Sequence, residues 1–230
     1  MKSKITITDT KPAKYSSAIF KSYVAANELS YLPDWLMNME AMSGKKYKHF
    51  INQLISQVDD ARYLEVGTWT GSTACSSLYN NKVDAYFVDN WGQFNPQGNV
   101  KSLFFKNIGE IKNDSPEATC NFQETDFRLV DYNNIGKYNV YFFDGPHEEQ
   151  DQYDGVVYAQ AALEDEFIFI CDDWNWNQVR TGTTRAFVDL NLEILYSLEV
   201  RTTIDGSTPA LVYEQSDWHN GYFIASCKKQ

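Results

Sequence analysis

The chain has 230 residues and carries 31 acidic against 20 basic side chains, a formal net charge of −11 at neutral pH. That length suffices for one domain with a buried core and no metal or disulfide staples, while the charge opposes nonspecific binding to nucleic acid or an anionic membrane surface. No apolar stretch reaches membrane-span length, the polar start MKSKITITDTKPAKYSS lacks a signal-peptide core, and Cys75, Cys120, Cys171 and Cys227 stand far apart, so a single cytoplasmic domain over residues 1–230 with reduced thiols is expected.

Residues 1–58 read as an N-terminal extension with helices flanking the mouth of the site. Strand propensity is weak at Ile5 to Thr8, and Tyr15 to Leu29 is compatible with a helix. Pro33 and Asp34 signal a helix start that runs unevenly through Trp35 to Met42. From Lys46, the set Tyr47, Phe50, Ile51, Leu54, Ile55 and Val58 recurs at helical spacing, which predicts a helix with one buried face.

The segment Tyr63 to Asn90 organises the rest of the chain. An apolar strand over residues 62–66 breaks at Gly67, Gly71 comes four residues later, a helix opens on small residues, and a second strand, Val83 to Val88, closes on Asp89. The glycines permit close backbone approach or a positive φ, helix amides left unpaired after Gly71 can face a polar ligand, and an acid at the second strand end can accept from two ribose hydroxyls. The spacing Gly67-Thr68-Trp69-Thr70-Gly71 is not the G-x-G-x-x-G of a dinucleotide site, since Trp69 stands where a pyrophosphate needs glycine. The pattern suits a nucleoside without a pyrophosphate; an ordinary strand-to-helix turn fits the two glycines alone equally well.

Beyond the turn-rich Trp91 to Pro96, Val100 to Ile111 predicts a helix and 113–118 a loop. Phe127 to Val130 is expected as a third short strand followed by Asp131, for which the residue chemistry alone favours a turn role over a place in the site. Tyr138 to Phe143 is a fourth strand stopping at Asp144-Gly145-Pro146-His147, followed by a helix with Tyr153, Val156, Val157, Gln160 and Ala161 on one face and acids near its start. Glu166 to Cys171 is a fifth strand, ending on Asp172 and Asp173. A loop over Trp174 to Thr184, a helix over Thr184 to Leu192, and strands at Ile194 to Arg201, Ala210 to Tyr213 and Tyr222 to Ser226 complete the reading, the last two as an antiparallel edge pair. Near-continuous apolar strands alternating with helices imply an α/β fold with a mostly parallel sheet covered on both faces.

Ligands of such sheets bind beyond the carboxyl ends of the strands, and Asp89, Asp131, Asp144, Asp172 and Asp173 all fall at that rim in this reading. Five carboxylates on one edge repel unless a cation or a hydroxyl-rich ligand compensates them. The oxygen donors of Asp144, Asp172 and Asp173 suit Mg²⁺, Mn²⁺ or Ca²⁺ better than zinc. His147 is the histidine beside the cluster and can accept a proton from a hydroxyl, while His49 falls in a helix and His219 in a C-terminal turn. A strand-end Asp is also a common helix N-cap. Trp91, Phe94, Trp174 and Trp176 fit either pocket walls or packing beneath loops, and Arg180 either a substrate contact or a salt bridge; Trp91, Trp174 and Arg180 are taken as the substrate contacts.

Glu65-Val66-Gly67-Thr68-Trp69-Thr70-Gly71-Ser72 resembles the first motif of class I S-adenosylmethionine (SAM)-dependent methyltransferases, and Asp89 matches the acid that holds the cofactor ribose. Phe143-Asp144-Gly145-Pro146-His147 with Cys171-Asp172-Asp173-Trp174 is closer still to the metal-dependent macrocin and mycinamicin sugar O-methyltransferases, relatives of the catechol-type enzymes. The resemblance spans roughly residues 45–195 and implies a Rossmann-like, mostly parallel seven-stranded sheet with an antiparallel C-terminal edge. It further implies SAM against Glu65, Gly67, Thr68, Gly71, Asp89 and Asp131, Mg²⁺ on Asp144, Asp172 and Asp173, and His147 as base. Glu65 either approaches the cofactor's amino-acid end or stabilises the turn. The expected reaction is O-methylation of a small polyhydroxy compound such as a sugar, with no nucleic-acid or membrane partner and with self-association left open. A metal-independent N- or O-methyltransferase, an NAD-dependent oxidoreductase and a non-catalytic nucleoside-binding scaffold are the competing readings.

Overall fold

The apolar runs that suggested buried parallel strands form the centre of one sheet. The computed structural model describes residues 3–230. Strands β2 (Arg62–Val66), β3 (Asp84–Asp89), β4 (Thr119–Glu124), β5 (Tyr138–Phe143) and β6 (Leu163–Cys171) run parallel in the spatial order β6-β5-β2-β3-β4. Their side chains alternate between two cores, as a period of two requires. Val140 and Phe142 enter one core with Tyr47, Phe50 and Ile51, whereas Tyr141 and Phe143 enter the other with Val156, Val179 and Phe187. Helices α1 (Ser16–Ala25), α3 (Lys45–Gln57), α4 (Ser72–Leu78) and α5 (Val100–Ile111) contribute to the first core, and α6 (Glu149–Ala159) and α7 (Asn177–Asp189) to the second.

The antiparallel side is larger than expected. Beyond β6 lie β8 (Tyr222–Lys229), β7 (Leu192–Arg201) and β1 (Lys4–Asp9), each antiparallel to its neighbour, which makes eight strands among the described residues. The segment Ala210 to Tyr213, expected as a strand, is irregular and leads into a 3₁₀ turn at Tyr213–Gln215. No sheet position remains for it there, because β8 pairs with both β6 and β7 and the outer edge of β7 is taken by β1.

Two further boundaries differ. Phe127–Leu129 is a 3₁₀ turn whose Phe127 ring meets Phe143 edge-on, and the sheet strand is the preceding TCNFQE segment, whose polar, largely exposed residues suit an edge. Helix α7 starts at Asn177, well before Thr184, although Thr181 to Thr184 are poor helix formers. Tertiary contact overrides propensity at that point: a Cβ on Gly182 would lie 2.1 Å from the Glu149 carbonyl oxygen, so glycine is what lets α7 close against α6.

Ahead of the sheet, α2 (Asp34–Met37) is a single turn rather than a helix reaching Met42. The buried Lys48 ammonium donates to the Leu36, Met37 and Met39 carbonyl oxygens at 3.4, 3.2 and 3.2 Å and so terminates it.

Candidate active site

The turn after β2 is built around two glycines that no other residue can replace without displacement. Gly67 has φ +87°, and a Cβ there would sit 1.9 Å from the Asp144 carbonyl oxygen at the exit of β5; Gly71 has φ +88° and faces Phe104. Trp69, between them, also takes a left-handed φ of 46°. Asp89 holds this turn. Its Oδ2 accepts from the Thr68 and Trp69 amides, both at 2.8 Å, and its Oδ1 from the Trp91 amide at 2.6 Å. The two indoles lock the same loops together, Trp91 Nε1 donating to the Trp69 carbonyl and Trp69 Nε1 to the Phe94 carbonyl, each at 2.9 Å.

Of the two roles read for Glu65, the turn-stabilising one is seen. Fully buried, its carboxylate accepts from Tyr63 Oη at 2.8 Å and from Thr73 Oγ1. Burial pushes its pKa up to about 8, against the opposing effect of those hydrogen bonds. Thr68, Gly71 and every residue of α4 are likewise buried behind the turn.

One cavity of about 710 Å³ runs along the strand tips, from Gly67, Trp69 and Asp89 past Asp126 and Phe127 to Asp144, His147, Asp172 and Asp173. Ligand atoms of Asp144, His147 and Asp173 lie within 4.8 Å of one another. His147 Nε2 stands 2.8 Å from Asp173 Oδ2, and its ring meets Trp176 edge-on. Asp172 lines the same cavity but stands outside that cluster, its Oδ1 accepting from the Asp173 amide at 2.7 Å.

Crowding shows in the proton affinities. Burial, followed by the charge of Asp173, raises the Asp144 pKa to about 7, with His147 opposing. Burial and then the charges of Asp144 and Asp173 push Asp172 well above the carboxylate range. For His147, burial disfavours the imidazolium, yet the Asp173 hydrogen bond and the charges of Asp173, Asp144 and Asp151 carry its pKa upward overall. These groups want a positive charge among them.

Several expected contacts lie elsewhere. Asp131 is exposed in the turn after the 3₁₀ segment, bonded to Asn133 and Asn134 and away from the cavity, because the strand it was to terminate ends earlier; Asp126 occupies the rim instead. Trp91 is buried against Phe104 and Phe105, and Trp174 is stacked on Phe223 with ring centroids 4.5 Å apart. Arg180 turns back to the Trp174 and Asn175 carbonyls. None of these three lines the cavity. The walls are instead Met42, Phe94, Trp176, Val212, Tyr213, His219 and Asn220, and Arg128 at the rim is bound to Asp151 and Asp154. His219, set aside as a turn residue, therefore belongs to the site; a lone Asn or His in a polar connection carries no sequence signal of that.

No family model matches the chain and no curated protein matches it, whereas many solved structures share its fold. TomG, an O-methyltransferase from Streptomyces achromogenes solved with SAM, superposes with a TM-score of 0.51 at 14% identity over 94% of this chain and 92% of that one. An O-methyltransferase from Bacillus cereus in complex with S-adenosylhomocysteine gives 0.52 at 13% identity over 92% and 91%. TrmN from Thermus thermophilus gives 0.50 at 14% identity over 80% of this chain, which spans only 48% of TrmN. The expectation of a mostly parallel sheet with an antiparallel edge is thus met, and the chain has the Rossmann-like fold of the SAM-dependent methyltransferases.

Proposed function

We propose that this protein transfers a methyl group from SAM to a hydroxyl of a small polyhydroxy compound such as a sugar, with a divalent cation as cofactor and the cytoplasm as its compartment. The observation that carries this reading is the continuity of the cavity. Its floor joins a glycine turn and strand-end acid suited to a nucleoside with the Asp144–His147–Asp173 cluster one strand further on. The O-methyltransferases of the same fold support it.

The donor chemistry fits a hard cation: the carboxylates of Asp144 and Asp173 converge beside His147, and Asp144 and Asp172 have proton affinities raised by burial and then by neighbouring carboxylate charge, which a cation would offset. Asp144 and Asp173 would hold Mg²⁺ or Mn²⁺, with Asp172 beside them. The ion would supply Lewis acidity that lowers the pKa of a neighbouring substrate hydroxyl.

The chain's own residues would do the rest. Gly67, whose missing side chain lets the turn close on the Asp144 carbonyl, borders the cavity where the cofactor would lie, and the one remaining lone pair of Asp89, on Oδ1, would accept from a ribose hydroxyl. With Nε2–H donated to Asp173, the lone pair on His147 Nδ1 is free to take the hydroxyl proton. The acceptor oxygen forms a bond to the methyl carbon as the carbon–sulfur bond breaks, its electrons going to sulfur to leave S-adenosylhomocysteine. Orientation of the two reactants in one cavity supplies the remaining advantage. The His147–Asp173 contact also favours a second reading, a metal-independent methyltransferase in which this pair alone is the base. Radiolabelled SAM with a panel of sugars and other polyols, in Mg²⁺ and after EDTA, separates them: label should enter an acceptor only with the cation, and full activity in EDTA or in Asp144→Ala would overturn the metal-dependent reading.

A further inference from the structure

The resemblance in sequence stops near residue 195, yet the connection between β7 and β8 returns to the cavity and touches its central acid. Asn220, 4% exposed, donates from Nδ2 to Asp173 Oδ1 at 2.6 Å, while Asp173 Oδ2 faces His147 Nε2 at 2.8 Å. The two carboxylate oxygens are thus fixed by partners from different elements. Asp173 has a left-handed φ of 55°, so its side-chain direction depends on such contacts more than on an ordinary backbone preference.

The turn that presents Asn220 is itself tied down. The Asn220 carbonyl accepts from the Asn175 amide at 2.9 Å and the Gly221 carbonyl from the Trp174 amide at 3.2 Å, joining the exit of β6 to the entry of β8. Gly221 has φ +86°, and a Cβ there would lie 2.4 Å from the Val200 carbonyl oxygen. The buried Asn175 side chain bonds Thr202 through both its oxygen and its nitrogen, and Thr202 Oγ1 donates on to the His219 carbonyl at 2.7 Å. Meanwhile Asn220 Oδ1 is buried without a partner among the described residues. Leaving an amide oxygen unpaired costs stability, and the charge-assisted bond to Asp173 is what offsets it.

We propose that Asn220 is a positioning residue of the candidate active site, fixing the Asp173 carboxylate so that one oxygen is held and the other is turned toward His147 and the cavity. Its consequence for catalysis rests on the function proposed above; its structural content does not. The test uses the full chain with Asn220→Ala and the shape-matched Asn220→Leu, crystal structures of both, and Mn²⁺ as the probe ion in binding titrations. Expected are a rotated Asp173 carboxylate that has left His147, Mn²⁺ binding weakened about tenfold or more, a matching fall in kcat at limiting metal, and an unchanged acceptor KM at saturating metal. An Asp173 that keeps its rotamer and its His147 contact in both variants overturns the inference. If the wild-type chain binds no Mn²⁺, the metal reading fails on its own, and the crystallographic comparison still decides the role of Asn220.

Discussion

The imidazole of His147 and the carboxylate of Asp173 leave the sheet at different strand tips and meet with 2.8 Å between Nε2 and Oδ2. A hydrogen bond of this kind fixes the ring's tautomer and raises its basicity, so His147→Gln should lower kcat by about 10²–10⁴-fold while leaving SAM affinity, measured by calorimetry, within about twofold, since His147 takes no part in the hydrogen bonds that hold the Asp89 turn. A loss smaller than about tenfold would remove His147 from the role of base.

Asp144 gives a pH dependence of known sign. Its pKa is about 7 when folded against an ordinary value of 3.8, so as pH rises from about 4 to about 7 the unfolded chain releases the proton before the folded one does, and stability falls. Asp144→Asn should therefore match the wild type in thermal stability near pH 4. At pH 8 without divalent cations it should be the more stable of the two. Adding Mg²⁺ should raise the wild-type Tm at pH 8 far more than at pH 5. Equal stability of the two proteins across this range would contradict the crowding of carboxylates at the strand tips.

Glu65 behaves in the same direction at higher pH. With a folded pKa of about 8 against 4.5, it is mostly protonated at pH 7, and Glu65→Gln should be the more stable protein above about pH 8. Glu65→Ala should be destabilised at every pH, by roughly 2–4 kcal/mol, because it leaves a cavity and two hydroxyls without partners. Urea denaturation at pH 6 and pH 9 checks both.

The glycines can be told apart by what surrounds them. Gly67→Ala brings a methyl group to within 1.9 Å of a backbone oxygen and should abolish SAM binding and lower Tm sharply. Gly98→Ala, also at positive φ but with nothing within 4 Å, should cost only about 1 kcal/mol. Differential scanning calorimetry of the pair, with and without S-adenosylhomocysteine, distinguishes close approach from simple backbone strain.

The parts of the fold legible in the sequence were those where one physical requirement dominated. Buried parallel strands demand apolar runs, so YLEV, AYFV, YNVYFF and EFIFIC were readable, and with the last three the acids at their ends, Asp89, Asp144, Asp172 and Asp173. Strand β4 was missed because an edge strand needs no such run, and its neighbour Phe127 to Val130 is apolar for a different reason, as a turn pressed onto Phe143. The start of α7 was hidden because Gly182 looks like a breaker when seen along the chain and like a contact when seen across it. Trp91, Trp174 and Arg180 were misplaced for a related reason: side-chain chemistry says what a residue can do, whereas only the tertiary arrangement says which way it faces.

The N-terminal strand has a role of another kind. Its six residues satisfy the outer hydrogen-bonding groups of β7 and present Lys4, Thr6, Thr8 and Asp9 to the surroundings. A chain cut after Asp9 would leave the longest strand of the sheet bare along one side, an open template for edge-to-edge association between molecules. Such a truncation should aggregate on warming even with every cavity residue in place.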